Sequence, residues 1–113
     1  GCVRDGYTYT REHALAAASH FAPRGSHVPL RDIRPAKMHQ AYAEGFCCRR
    51  AVWDGCFTVP GDSCVDFPAV FSVLEQSGYV GWLLVEAEQD PSKANPLEYA
   101  TMAREYIRKH TGI

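Results

Sequence analysis

The order of apolar and polar positions divides the chain into a small set of elements. Its sharpest boundary is Val80-Gly81-Trp82-Leu83-Leu84-Val85-Glu86, where an apolar run stops at a carboxylate. A run this short, with a glycine ahead of it and Pro91 behind, reads as a strand buried on both faces. The clearest helix precedes it. Phe67, Val70, Phe71 and Leu74 repeat at helical spacing, with Asp66 placed as N-cap and Gly78 as terminator. After the strand, Asn95-Pro96-Leu97-Glu98 combines a capping residue, a first-turn proline and a glutamate three positions beyond the cap. The helix it starts is predicted to run to about His110, with Gly112 closing it. Arg104, Arg108, Lys109 and His110 fall in its C-terminal half, as the helix dipole favours.

Upstream the pattern is less regular. His27 to Ile33 reads as a short strand with His27, Pro29 and Arg31 on one side. Pro29 cannot donate to a ladder and belongs at a sheet edge. Pro35 suits a helix start, and the helix is predicted from Ala36 to about Trp53, weakened at Gly45 and ended by Asp54-Gly55. Phe57 to Ser63 reads as an extended piece entering a turn at Gly61-Asp62. Thr10 is placed to cap a helix over 11–21 whose apolar face is Ala14, Leu15, Ala18 and Phe21, with His13 and His20 on or beside it as rim residues. Residues 1–9 read as the tail of a preceding loop. The alternation of strands and helices predicts an α/β fold with parallel strands and helical crossovers. The chain shows no internal repeat and no low-complexity segment.

Composition narrows the function classes. The 113 residues suffice for one modest domain, and 46% hydrophobic with 22% charged residues is ordinary for a globular chain. A net charge of -1 gives no basic surplus for nucleic acid. No apolar run is long enough to cross a bilayer. No signal core opens the chain, and the absence of an initiating Met suggests a start inside a longer reading frame or a trimmed end. The five cysteines show no C-x-x-C spacing, and Cys47 and Cys48 are adjacent on a predicted helix. Reduced, partly buried thiols in a cytoplasmic protein are the expectation.

Candidate chemistry gathers after the buried strand. Glu86, Glu88, Gln89 and Asp90 follow it within five residues. The carboxyl ends of parallel strands carry the chemistry of α/β proteins, so Glu86 is the candidate metal-ligating or acid/base carboxylate. A solvated strand-to-helix loop is the alternative. Asp32 is placed to cap the helix that follows it.

Several segments together resemble inosose dehydratase. These are Val59-Pro60-Gly61-Asp62 with Val65-Asp66-Phe67, then Ser77-Gly78-Tyr79-Val80-Gly81-Trp82, then Val85 to Pro96 with its Glu-Ala-Glu-Gln-Asp-Pro run. Leu30-Arg31-Asp32-Ile33-Arg34-Pro35 resembles a Leu-Lys-Asp-Val-Arg-Pro strand of the same family. The resemblance spans roughly residues 27–107, and implies the C-terminal portion of a (β/α)8 TIM barrel of the xylose-isomerase-like kind: one partial domain over 1–113, with about two parallel strands and their helices. It implies a lyase that removes water from 2-keto-myo-inositol in inositol catabolism, using a divalent manganese or cobalt ion at the barrel mouth. Glu86 matches the last-strand metal ligand and His27 the first histidine of the family's His-x-His-x-Lys-Asp strand. Asp32 and Arg31 are then catalytic candidates beside Glu86, and Glu88 and Gln89 candidates for substrate hydroxyls. Such an ion polarises a carbonyl so that the adjacent carbon loses a proton.

The chain departs from that pattern in its length, at Pro29 and Arg31 in the strand, and at Ser63, where the family usually has glycine. A whole barrel needs about 250 residues. Pro29 replaces the second histidine and offers no donor to a metal. Arg31 replaces lysine and stays protonated near neutral pH. The resemblance therefore leaves three readings: a hydro-lyase or a piece of one acting on a small keto-polyol, a non-catalytic remnant that pairs with another chain or a second copy through open sheet edges, or a related sugar-phosphate isomerase or epimerase. Neither nucleic acid nor membrane is expected as a partner.

Overall fold

A computed structural model describes residues 27–113, together with Leu15, Ala18 and Ser19 upstream. The expected helix over 11–21 and the histidines at its flanks lie outside the described residues, apart from those three. Leu15, Ala18 and Ser19 are helical, and the Ser19 hydroxyl donates to the Leu15 carbonyl at 2.9 Å.

The described chain runs β1 (His27–Leu30), β2 (Asp32–Ile33), α1 (Pro35–Ala43), α2 (Cys48–Asp54), β3 (Phe57–Thr58), α3 (Phe67–Gln76), β4 (Trp82–Val85) and α4 (Pro96–Thr111). β1 and β4 pair in parallel, with His27 opposite Trp82 and Leu30 opposite Val85. This is the parallel pairing that strand–helix alternation predicts. The strand expected over His27 to Ile33 divides at Arg31 instead of running through. Its second half, β2, pairs antiparallel with β3 in a separate two-stranded sheet. Pro29 is accommodated because, among the described residues, β1 and β4 pair only with each other and each has a free edge.

The helix predicted over 36–53 is also two helices. Gly45 takes the left-handed conformation at φ 65°, which only glycine adopts freely, and the chain turns there. Phe46 then donates back to the Ala41 carbonyl at 2.9 Å and seals the end of α1. Cys47 becomes the N-cap of α2 rather than a helical residue. Cys47, Cys56 and Cys64 are free thiols.

The capping signals of α3 and α4 act as read. Asp66 accepts the Ala69 N–H at 3.2 Å, and Asn95 accepts those of Leu97 and Glu98 at 3.0 and 3.3 Å. The apolar face of α3 packs Phe67, Val70, Phe71 and Leu74 against Leu30 of β1 and Ile107 of α4. Each such side chain contributes about 1.5–3 kcal/mol when fully buried. Ile33, Met38, Ala41, Ala51, Cys56 and Phe57 form a second cluster under the small antiparallel sheet.

The apolar run that ends in β4 behaves differently from the expectation of burial on both faces. Val80 is 91% exposed and Trp82 71% exposed, and Leu84 and Val85 are also exposed. The reason is one-sided packing: Leu83 packs against the apolar cluster, whereas Trp82 and Leu84, on the opposite face of the strand, stay exposed.

Candidate functional site

The parallel register creates the site. Beyond the last matched pair, Leu30 and Val85, the next residues are Arg31 and Glu86. The Glu86 N–H donates to the Leu30 carbonyl at 3.0 Å, so the ladder continues one step and fixes the Glu86 backbone beside Arg31. Arg31 Nη2 donates to Glu86 Oε2 at 3.1 Å and lies 3.7 Å from Glu88 Oε2. One guanidinium nitrogen is thus forked by two carboxylates. The Arg31 guanidinium also stands over the Phe57 ring, 5.1 Å from its centre, which holds its plane against β3. Glu86 and Glu88 are about half-exposed, so water screens the pairs, and each is worth roughly 0.2–1 kcal/mol.

Asp32 lies directly behind, fully buried. Its Oδ1 accepts backbone N–H groups from Ile33 at 2.8 Å and from Cys64 and Val65 at 3.2 Å. The carboxylate therefore ties the loop ahead of α3 to the start of β2; it does not cap the helix that follows it. Oδ2 is buried without a hydrogen-bond partner among the described residues. Burial raises the Asp32 pKa above the usual carboxylate value, against backbone donors from Ile33, Val65 and Cys64 that pull it down.

The other sequence candidates separate into two groups. Glu88 joins Arg31, and Gln89 follows it half-buried in the same loop. Asp90 turns away from them: its Oδ1 accepts the Ser92 hydroxyl at 2.7 Å and the Ser92 N–H at 2.9 Å, and these bonds lower its pKa. His27 stands at the opposite end of the strand pair, beside Trp82. Four residues of strand, about 13 Å at 3.3 Å per residue, separate that level from Glu86. His27 and Glu86 are not brought together.

These positions do not fit the divalent metal that the resemblance implies. No group of three or more histidine, cysteine or acidic side chains able to hold an ion occurs among the described residues. Pro29 has no donor, and Glu86 and Glu88 already face a guanidinium.

A second polar cluster escaped the sequence reading. Arg34 Nη2 donates to Asp62 Oδ2 at 2.7 Å and Thr58 Oγ1 at 3.2 Å, while Nη1 donates to the Gly55 carbonyl at 3.0 Å. Thr58 Oγ1 donates to the same Asp62 oxygen at 2.6 Å. Asp62, read as a turn residue, is the acidic half of this clasp. The signal lay in the paired presence of an arginine before Pro35 and an acid after Gly61, but nothing local links positions so far apart.

An α/β chain whose charged groups collect beyond the carboxyl ends of paired parallel strands has the arrangement common to α/β enzymes. More particularly, the chain is similar to inosose dehydratases over nearly all of its length. It is 46% identical over 105 residues to the inosose dehydratase of Clostridium beijerinckii, covering 93% of this chain and 35% of that protein. With that of Klebsiella pneumoniae it shares 50% identity over 99 residues, covering 88% of this chain and 33% of the relative. With that of Erwinia tasmaniensis it shares 45% over 112 residues, covering 96% and 38%. The chain therefore spans about a third of the length of the curated relatives it matches. No family model matches it. Among the described residues, no helix is long and apolar enough to cross a membrane.

Proposed function

We propose that this chain is the C-terminal portion of an inosose dehydratase-like hydro-lyase, carrying the last two strands of a (β/α)8 barrel. The observation that carries the reading is the meeting of Arg31, Glu86 and Glu88 past the ends of β1 and β4, in a chain similar to inosose dehydratases. The substrate proposed is 2-keto-myo-inositol. Arg31 supplies N–H donors for its carbonyl or hydroxyl oxygens, and Glu88 and Gln89 supply acceptors and donors for neighbouring hydroxyls. Glu86 is the proposed proton-moving carboxylate, and Asp32 positions the loop beneath it. Any divalent metal held by the whole barrel takes its donors from strands outside this chain.

The test is complementation. The 113-residue chain is mixed with the upstream two thirds of a relative, and water loss from 2-keto-myo-inositol is followed with manganese or cobalt supplied. Turnover with the mixture that is lost in Glu86→Gln supports the reading. A mixture that associates yet gives neither substrate binding nor turnover overturns it.

The exposed apolar surface of β4 favours a second reading, a non-catalytic remnant that pairs with another chain. In that case association occurs without turnover.

A further inference from the structure

We propose that Arg31 takes the place of a bound cation at Glu86 and Glu88, so that these two carboxylates hold a guanidinium rather than a divalent metal in this chain. The inference goes beyond the hydro-lyase reading and does not depend on it.

The geometry is that of a carboxylate fork around one positive nitrogen. Arg31 Nη2 lies 3.1 Å from Glu86 Oε2 and 3.7 Å from Glu88 Oε2. The Glu86 N–H is bonded to the Leu30 carbonyl, which holds the Glu86 backbone beside Arg31. The guanidinium is backed by the Phe57 ring, and its Nε is buried without a hydrogen-bond partner among the described residues. Arginine stays protonated throughout the accessible pH range and cannot make room for a metal by losing its charge, as lysine can. Pro29 removes the donor that the preceding strand would contribute on the same side as Arg31. A metal entering here meets a fixed positive charge and two carboxylates already engaged. The groups left to interact with a ligand are guanidinium N–H donors and carboxylate oxygens, a set suited to neutral hydroxyl-bearing molecules.

The experiment measures Mn²⁺ binding directly, by electron paramagnetic resonance and by broadening of backbone amide signals, in the full chain. Wild-type protein is expected to leave Glu86 and Glu88 unbroadened at millimolar Mn²⁺. Arg31→Gln, which keeps the stem but removes the charge, is expected to gain about tenfold or more in affinity as the repulsion is lifted. The gain should disappear in the Arg31→Gln, Glu86→Gln double variant, and Arg31→Lys, whose amine can give up its proton, should gain less than Arg31→Gln but more than wild type. Wild-type broadening at Glu86, or no gain in a folded Arg31→Gln, overturns the proposal. If Arg31→Gln fails to fold by circular dichroism, the wild-type broadening pattern still decides. None of these readouts requires turnover, so failure of the dehydratase reading and failure of this one are seen separately.

Discussion

The Leu30 carbonyl accepts the Glu86 N–H at 3.0 Å, one step past the final matched pair of the parallel ladder. That single bond converts a sequence separation of 55 residues between Arg31 and Glu86 into a side-chain contact. The charged groups of the candidate site are thereby set by the register of two short strands distant in sequence.

Gly61 is expected to resist substitution. It sits at φ 94°, and a Cβ added there would lie 2.5 Å from Tyr106 Cδ2. Gly61→Ala should destabilise the chain by about 1–3 kcal/mol through backbone strain, with a steric cost added. Urea unfolding checks this. In a Tyr106→Ala background most of the steric part should go, because only the Tyr106 Cβ at 3.1 Å remains, and the strain should stay.

The Arg34–Asp62 clasp joins α1 to the turn after β3, and both side chains are about one-quarter to one-third exposed. Arg34→Ala should cost about 1.5–3 kcal/mol, the range for hydrogen bonds to charged groups. Arg34→Lys should not restore it, because one ammonium cannot serve Asp62, Thr58 and the Gly55 carbonyl in the same fork. A double-mutant cycle with Asp62→Asn reads the coupling. Additive losses would show that the two residues act independently.

Asp32 makes a prediction about pH. Burial holds its pKa above the usual carboxylate value in the folded chain. The folded state then binds this proton more tightly than the unfolded one. The stability so gained is complete below the unfolded-state pKa and is lost as pH rises through the raised folded-state value. Asp32→Asn cannot titrate and keeps an oxygen for the Cys64 and Val65 N–H groups. The stability difference between variant and wild type should therefore move in favour of the variant from acid to neutral pH. A difference that is flat with pH contradicts the assignment.

The surface of β4 predicts association. Val80, two residues ahead of β4, and Trp82 at its start are 91% and 71% exposed, and among the described residues nothing pairs with the strand's second edge. Sedimentation should show oligomers that grow with concentration, and Trp82→Lys should shift the distribution towards monomer. A wild-type chain that stays monomeric at every concentration tested removes pairing with a second copy from the second functional reading.

Local chemistry made much of this protein legible in its residues. The Asp66 and Asn95 caps, the apolar face of α3 and the acid that ends the last strand depend on neighbours within a few positions, and all were read correctly. Gly45 was read as a weak point within one helix; its left-handed φ of 65° instead separates two. The strand break at Arg31 was also missed, because it follows from which strand each half pairs with, β4 or β3.

What the amino-acid order determined without help was the kind of element at each place and the polarity of its ends. What the tertiary structure decided was the company each charge keeps: Arg31 with Glu86 and Glu88, Arg34 with Asp62, Asp32 with the loop at Cys64 and Val65, and His27 a strand's length from all of them. The physical reason is range. Helical propensity and capping act within one or two turns of chain. Ion pairing and burial act between groups that only the strand register and the helix packing bring near.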